Sequence, residues 1–138
     1  MMTKAMLEKE NAPLILIAED NEANIITLTL FLQAKGYRTA IARHGGEALD
    51  LAQTIHPAII LMDLQMPVLN GLETMRRLRR ESNSHVADVP IIAITALAMP
   101  GDRERSIAAG ASEYISKPIN LKNLHTLIDQ FIQKKDMP

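Results

Sequence analysis

The sequence predicts an α/β domain in which helices cover both faces of a parallel β-sheet. Five short apolar segments of strand length alternate with segments that have helical spacing. Three of the apolar segments are nearly continuous in Leu, Ile and Met, which is typical of parallel strands buried on both faces. Strand–helix alternation of this kind is built with right-handed crossover connections. The length of 138 residues suits one domain.

The predicted strands are recognised by β-branched and other apolar residues over four to six positions. The last of them is the weakest, because it is short and begins with a charged residue. In order along the chain they are LILIA (14–18), RTAIA (38–42), AIILM (58–62), PIIAIT (90–95) and EYIS (113–116).

The predicted helices lie between and after these strands. The first has one apolar stripe and ends at Lys35-Gly36, a cation followed by a helix-ending glycine. The fourth spans Asp102 to Ala109 and closes at Gly110. The second spans Glu47 to Gln53. The apolar positions of the other two are Leu72, Met75 and Leu78 for the third, and Leu121, Leu124, Leu127, Ile128 and Phe131 for the fifth.

Composition excludes several classes of protein. Cysteine is absent, so disulfides and thiolate zinc sites are excluded. A net charge of -1 and 3% aromatic residues argue against nucleic-acid or membrane partners. We expect a flexible lead-in over 1–12, a domain over 13–135 and a tail over 136–138. The lead-in lacks the apolar core of a secretory signal, so we expect a cytoplasmic protein.

Polar residues follow four of the five predicted strands. Glu19 and Asp20 follow the first strand, Asp63 the third, Thr95 ends the fourth, and Lys117 follows the fifth. In an open α/β sheet, ligands bind at the carboxyl ends of the strands. A carboxylate that ends a buried strand is stable only if it is solvated, paired or metal-bound. The sequence therefore predicts a site at this edge.

The predicted set of groups suits phosphoryl transfer. Three neighbouring carboxylates repel each other, and a hard cation such as Mg²⁺, which takes oxygen ligands, removes that conflict. An ionised Asp63 could then attack phosphorus and become an acyl phosphate without a general base. Lys117 and the Thr95 hydroxyl would hold phosphoryl oxygens, and the backbone carbonyl of Gln65 could be a further metal ligand.

Five segments in this order resemble the receiver domain of two-component response regulators. They are ILIAEDN, ARHGGEAL, IILMDLQMPVLNGLE, PIIAITALAM and GASEYISKPI, which together span most of the chain. The resemblance implies a flavodoxin-like fold with sheet order 2-1-3-4-5 and five helices. It implies Asp63 as phosphoacceptor, with phosphohistidine as donor. It also implies metal binding by Glu19 and Asp20, and phosphoryl contacts from Thr95 and Lys117.

The resemblance also implies how the domain communicates. Thr95 and Tyr114 would act as switch residues that reshape the face formed by the fourth helix, the fifth strand and the fifth helix; a module that only relays phosphate stays open. A cis Lys117–Pro118 peptide bond would aim the ammonium group. A histidine kinase or phosphotransfer protein would dock near the site, on Asn21, Asn24, Ile25, Pro118 and Ile119.

The sequences of these motifs are most similar to those of receivers in hybrid sensor kinases and phosphorelays. Such a domain would be a monomer or weak dimer and would catalyse only its own phosphorylation and dephosphorylation. Glu19-Asp20 departs from the Asp-Asp pair of many members, but it keeps two acidic groups for the metal. Gln65 and Leu97 occupy two positions whose residues, in the family, set how fast the phosphoryl group is hydrolysed.

Each candidate residue also has a purely structural interpretation. Glu19 and Asp20 could cap the first helix, Thr95 could be an ordinary strand residue, and Lys117 could belong to a simple turn. Tyr114 could be packing at the edge of the core. The arginines of MRRLRRE (75–81) are interpreted as a solvated helix face. The four histidines are interpreted as unrelated surface residues.

Three other functions stay open at this point. A magnesium-dependent phosphohydrolase on a similar sheet usually carries a second acid two residues after the first, and here that position is Gln65. A flavin-binding domain would need a phosphate loop rich in small residues after the first strand, but AEDNEAN is acidic. A scaffold that is never phosphorylated would not need the full set of polar residues.

Overall fold

A computed structural model describes Thr3 and residues 11–67, 69–96 and 99–136. In this part of the chain five strands alternate with six helices, which we number separately in chain order. The strands are β1 Leu14–Ala18, β2 Arg38–Ala42, β3 Ile59–Asp63, β4 Ile91–Thr95 and β5 Glu113–Ser116. The helices are α1 Glu22–Ala34, α2 Gly45–Ile55, α3 Gly71–Arg79, α4 Ser84–Ala87, α5 Asp102–Ala109 and α6 Leu121–Asp136.

The five strands form one parallel sheet in the order β2-β1-β3-β4-β5, as predicted. The chain reverses its direction of progress across the sheet between β1 and β3. At such a switch point the loops on either side diverge and leave a crevice at the carboxyl edge. The last residues of β3 and β4, Asp63 and Thr95, both end at this edge.

Alternate residues of each central strand belong to two separate hydrophobic layers, because successive side chains of a strand point to opposite faces. One layer joins Ile17, Leu61 and Ile94 to side chains of α1 and α6. The other joins Ala18, Met62 and Ala93 to side chains of α2, α3 and α5. Both faces of the sheet are therefore covered, which explains why these strands are apolar throughout.

The predicted strands agree closely with the observed ones. Three of them have the predicted bounds, β3 is shifted by one residue to Ile59–Asp63, and β4 begins one residue later than predicted, at Ile91. The prediction of five helices missed α4, which contains only Ser84–Ala87 and lies in the connection from α3 to β4. Of the predicted lead-in, only Thr3, Asn11 and Ala12 are described. Leu97 and the last two residues of the predicted tail also lie outside the described residues.

The cap of α1 tests the interpretation of the acidic pair as helix-capping residues. The N-cap residue is Asn21, whose side chain accepts a hydrogen bond from the Asn24 backbone N–H. Capping by Glu19 or Asp20 was therefore the wrong interpretation. His44 caps α2 in the same way by accepting from the Glu47 N–H, a role that the sequence analysis did not assign.

Arg79 is an exception to the predicted solvated face of α3. Its guanidinium group is half-buried and donates to the backbone carbonyls of Ala87, Val89 and Gly110 at 2.6–2.9 Å. The other three arginines of the helix are exposed, and each lies 3.4–3.5 Å from the Glu73 carboxylate. The interpretation holds for these three and was wrong for Arg79, which ties α3 to the segments before β4 and β5.

No helix in the described part of the chain combines the length and the apolar character that crossing a bilayer demands.

Candidate functional site: an acidic cluster at the carboxyl edge

Asp63 ends β3 with its side chain almost fully enclosed, at 3% exposure. One carboxylate oxygen, Oδ1, accepts a hydrogen bond of 2.9 Å from the Gln65 backbone N–H. The other, Oδ2, lies 3.3 Å from the ammonium nitrogen of Lys117. Backbone pairing also fixes the strand end, since the Leu64 N–H donates to the Ile94 carbonyl at 2.9 Å. The carboxylate is thus held in one orientation from both sides.

Gly71 makes the close packing beneath Asp63 possible. A Cβ atom at this position would lie 2.6 Å from the Asp63 carbonyl oxygen and 2.7 Å from the Leu64 Cα. Both neighbours are backbone atoms, so they could not move aside cheaply. Gly71 was not among the predicted site residues. Its position after Asn70, the N-cap residue of α3, is the signal that could have found it.

Glu19 is the second buried acid and follows β1 directly. It is 2% exposed, and its backbone N–H donates to the Ala42 carbonyl at 2.9 Å. Its Oε1 accepts from the Asn21 N–H at 3.1 Å and from the Asn24 side-chain amide at 3.4 Å. Its Oε2 lies 3.4 Å from Lys117 Nζ. Two different elements therefore fix this side chain as well.

Asp20 completes the cluster from the solvent side, where it is exposed. Oxygen atoms of Glu19, Asp20 and Asp63 all lie within 4.8 Å of one another. Among the described residues this is the one group of three or more acids or histidines that is close enough to share a metal ion. The predicted gathering of these three side chains is confirmed.

The cluster carries more negative charge than its neighbours neutralise. Burial raises the pKa of the Glu19 carboxyl, and a hydrogen bond to Asp63 and repulsion by its charge raise it further. The Asn21 N–H and the Lys117 ammonium lower that pKa, but they do not cancel the increase. Three carboxylates and one ammonium suit a hard divalent cation, which binds oxygen ligands and removes the repulsion. The donor set therefore fits Mg²⁺.

Thr95 and Lys117 are placed by the ends of β4 and β5. Thr95 is buried at the end of β4, in register with Ser116 of β5. The Lys117 N–H donates to the Thr95 carbonyl at 2.7 Å, which extends the pairing one residue beyond the sheet. The Lys117–Pro118 peptide bond is cis, the form that the resemblance implies.

Gln65 contributes to the site through two groups. Its backbone N–H binds Asp63, and its side-chain Oε1 accepts a hydrogen bond of 3.2 Å from the Ala96 N–H. The side chain thereby connects the loop after β3 to the loop after β4. This contact was not predicted, because nothing in the local pattern shows which loops lie side by side.

The predicted docking residues do not all face the solvent. Asn24, Pro118 and Ile119 line one groove between α1 and the loop after β5. Ile25 is only 5% exposed, so the expectation that its side chain anchors a partner was wrong. The helical stripe that contains Ile25 faces the sheet, and the next residue, Ile26, is the exposed one at 50%.

Tyr114 lies on β5 beside Ala93 of β4, and its ring packs at the edge of the core. The structural interpretation thus describes its position in this conformation. Nearby, Arg103 of α5 pairs with Glu113 at 2.6 Å. A partner that used either side chain would have to compete with this ion pair.

Comparison with known proteins identifies the family. The response regulator receiver domain family matches residues 15–129. The chain belongs to this family. The polar-differentiation response regulator DivK of Brucella ovis is 42% identical over 118 residues, which are 86% of this chain and 94% of that protein. The protein of the same name from Brucella anthropi is 41% identical over the same share of each chain.

Solved structures agree with this assignment. The receiver domain of the sensor histidine kinase PA1611 from Pseudomonas aeruginosa, determined with a magnesium ion in its active-site cleft, has a TM-score of 0.81 and 35% identity. The match covers 88% of this chain and 98% of that one. The chemotaxis response regulator CheY4 of Vibrio cholerae gives a TM-score of 0.79 at 27% identity, over 88% and 99% of the chains.

Family membership answers the broad functional question. The chain is a receiver domain of the two-component type, a signalling module rather than a classical enzyme. Domains of this family interact with histidine kinases or phosphotransfer proteins. Membership decides against the phosphohydrolase and flavin-binding alternatives, which belong to other families on similar sheets.

Proposed function

We propose that Asp63 accepts a phosphoryl group from a phosphohistidine and that this transfer depends on Mg²⁺. The observation that carries the proposal is a cluster of three carboxylates, two of them buried, whose oxygens lie within 4.8 Å of one another at the carboxyl edge. The Lys117 ammonium lies 3.3–3.4 Å from the two buried ones. An ionised carboxylate is already a nucleophile, so the protein needs only to position it and neutralise charge.

Side chains from separate strand ends would share the work of binding. Asp20 and Asp63 would hold Mg²⁺ directly, Glu19 would act through water, and the Gln65 backbone carbonyl would be a further ligand. When bound, the cation offsets negative charge on the transferred group. The magnesium ion in the PA1611 receiver domain, a relative at 35% identity, supports this assignment.

In the proposed step an oxygen of Asp63 forms a bond to phosphorus while the bond from phosphorus to the donor imidazole nitrogen breaks. The electron pair of that bond leaves with the imidazole. Lys117, already 3.3 Å from Asp63 Oδ2, would bind one phosphoryl oxygen, and the Thr95 hydroxyl another. The domain would thus catalyse only its own phosphorylation and, with water as nucleophile, its own dephosphorylation.

The proposed output depends on how Thr95 follows the new charge. If the Thr95 hydroxyl moves towards the phosphoryl group, space opens behind it and the Tyr114 ring can turn inward. That movement would reshape the surface formed by α5, β5 and α6. A shift from 1% to 99% active would need a preference of about 5.5 kcal/mol. A few charge-assisted hydrogen bonds, each about 1.5–3 kcal/mol, are enough to supply it.

The proposed partner surface is the rim of the same crevice, because a donor histidine must reach Asp63. Asn24, Pro118 and Ile119 line its groove. Asn21 and the exposed Ile26, which replaces the buried Ile25, would extend the surface over the start of α1. We place the protein in the cytoplasm, where kinases of this type present their phosphohistidine.

The decisive experiment measures the mass of the protein after incubation with a small phosphodonor and Mg²⁺. We expect one phosphoryl adduct that is sensitive to hydroxylamine, as acyl phosphates are. The adduct should be absent in Asp63→Asn. Asp50→Asn, which changes an exposed acid on α2, should react at the wild-type rate. An equal adduct in Asp63→Asn would refute the assignment, whereas no adduct on the wild type would favour the scaffold alternative.

A further inference from the structure

Two histidines that are far apart in the sequence meet on the surface. His56 follows α2 and His85 lies in α4, and both side chains are exposed. Their ring centroids are 4.9 Å apart and the ring planes are nearly perpendicular, at 84°. The interpretation of the histidines as unrelated surface residues was therefore wrong for this pair.

The backbone at His56 is unusual. This residue is the C-cap of α2 and has φ 48° and ψ 65°, in the left-handed region. Among the described residues, His56 is the one non-glycine residue with positive φ. Glycine and asparagine are the residues that normally occupy such a position. A strained backbone conformation that is kept by a side chain able to bind a ligand is a reason to look for function there.

Buried residues anchor the backbone next to each histidine. His56 lies between Ile55, which packs against the core, and the buried Pro57. His85 precedes Val86, which is 1% exposed and anchors the short helix α4. The rings can therefore rotate about their own side-chain bonds, while the distance between their backbones stays fixed.

The spacing of the rings matches that of two ligands on one metal ion. An ion about 2.0 Å from a ring nitrogen lies about 3.2 Å from the ring centroid, so two imidazoles on one tetrahedral ion have centroids about 5 Å apart. The observed separation is 4.9 Å. Neutral imidazole prefers zinc, copper and nickel ions over the hard magnesium ion.

The surroundings favour a cation. His56 ends α2, where unpaired carbonyl groups make the helix terminus partly negative. Glu81 lies against the same turn, since its carboxylate accepts a hydrogen bond of 3.2 Å from the side chain of Gln53. His56 and His85 precede β3 and β4 respectively, so the pair lies at the amino edge of the sheet, opposite the acidic cluster.

The geometry points to a second metal site, at which His56 and His85 bind a divalent transition-metal ion such as Zn²⁺ or Cu²⁺. Water molecules complete the coordination. The ion connects the end of α2 to α4 and is independent of the magnesium site.

The test is a calorimetric titration of the full chain with Zn²⁺, in a buffer that contains saturating Mg²⁺ to occupy the acidic cluster. We expect one zinc ion per chain. His56→Asn and His85→Gln should each weaken zinc binding at least tenfold. Asparagine tolerates the left-handed conformation, so His56→Asn should fold normally. His125→Gln, which changes a histidine on α6, should bind zinc as the wild type does.

A second measurement locates the ion. Substoichiometric Cu²⁺ should broaden the backbone amide NMR signals of residues 53–58 and 81–87 before those of the acidic cluster, and this pattern should disappear in His56→Asn. Wild-type zinc affinity in His56→Asn would overturn the proposal. So would zinc binding that is lost in Asp63→Asn, because it would place the ion in the acidic cluster. No measurable binding to the wild type would show that the histidines form a ring contact only.

Discussion

Charged side chains are half-buried or buried at both edges of the sheet, but they find different partners there. At the amino edge the Arg79 guanidinium donates four hydrogen bonds to three backbone carbonyls of neighbouring segments. At the carboxyl edge Glu19 and Asp63 share the single ammonium group of Lys117, and a third acid, Asp20, lies beside them. Hydrogen bonds within the protein satisfy the first arrangement, whereas the second has an excess of negative charge.

The difference separates a structural charge from a functional one. Removing Arg79 would leave polar groups of the protein without their partner, so the free energy of unfolding would fall. The acids at the other edge repel each other in the folded state, and burial together with this repulsion raises the pKa of Glu19. Their arrangement becomes favourable only with an added cation, so these acids contribute to binding and not to folding.

The largest expected effect on stability is that of Arg79→Met. This change keeps much of the aliphatic volume but removes the four hydrogen bonds and leaves three carbonyl groups partly unsatisfied. We expect the free energy of unfolding to fall by about 3 kcal/mol. Urea denaturation monitored by circular dichroism measures it.

Arg77→Met is the matched control for this change. Arg77 lies on the same helix, is exposed, and is 3.4 Å from Glu73. An exposed ion pair of this kind contributes less than about 0.5 kcal/mol. If both variants lose the same stability, the buried hydrogen bonds of Arg79 matter no more for folding than the exposed ion pair of Arg77.

Arg79 also shows where prediction from the sequence ends. The pattern MRRLRRE contains four arginines that look alike, and only the position of the chain before β4 and β5 gives one of them three carbonyl partners. The same reason explains the missed contact of His56 with His85 and the missed bridge from Gln65 to Ala96. Contacts between distant loops depend on tertiary structure and leave no local periodicity.

The acidic cluster, in contrast, was predictable because topology alone brings it together. Apolar runs identify the strands, and the polar residue that ends each run must lie at one edge of a parallel sheet. Glu19, Asp63 and Lys117 meet there with the predicted neighbours. The prediction that Ile25 anchors a partner was wrong for a smaller reason. A rotation of one residue along a helix decides which of two adjacent isoleucines is buried.

The second prediction concerns magnesium and tests the excess charge directly. At a Mg²⁺ concentration of 100 times its dissociation constant, the wild-type protein should gain about 2.7 kcal/mol in free energy of unfolding. Asp20→Asn should lose most of this gain, because it removes a proposed direct ligand. Urea denaturation with and without Mg²⁺ gives both values.

Glu73→Gln is the control for an acid that has cations nearby but no place in the cluster. Its carboxylate lies 3.4–3.5 Å from three arginines on the outer face of α3. We expect the full magnesium-dependent gain in this variant. If Asp20→Asn and Glu73→Gln respond equally to Mg²⁺, the cation does not bind at the acidic cluster.

The smallest expected effect concerns the rim of the carboxyl edge, where the donor should dock. Ile26 is 50% exposed on α1 and lies one turn from Glu22, at the end of the helix that faces the site. An apolar side chain at the centre of an interface contributes more than about 1 kcal/mol to binding. Ile26→Glu should therefore slow phosphoryl transfer from a phosphorylated histidine phosphotransfer domain by about fivefold to tenfold.

A small phosphodonor makes no use of this surface, so its reaction with Ile26→Glu should keep the wild-type rate. The matched control is Leu30→Glu, which places the same charge at a 64% exposed residue one turn further from the site, about 6 Å along the helix. Transfer to Leu30→Glu should be slowed less than transfer to Ile26→Glu. If Ile26→Glu slows both donors alike, the substitution has disturbed Glu19 and Asp63 through α1, and the rim is not the docking surface. If Leu30→Glu is the slower of the two variants with the protein donor, the contact lies further along α1 than the proposed rim.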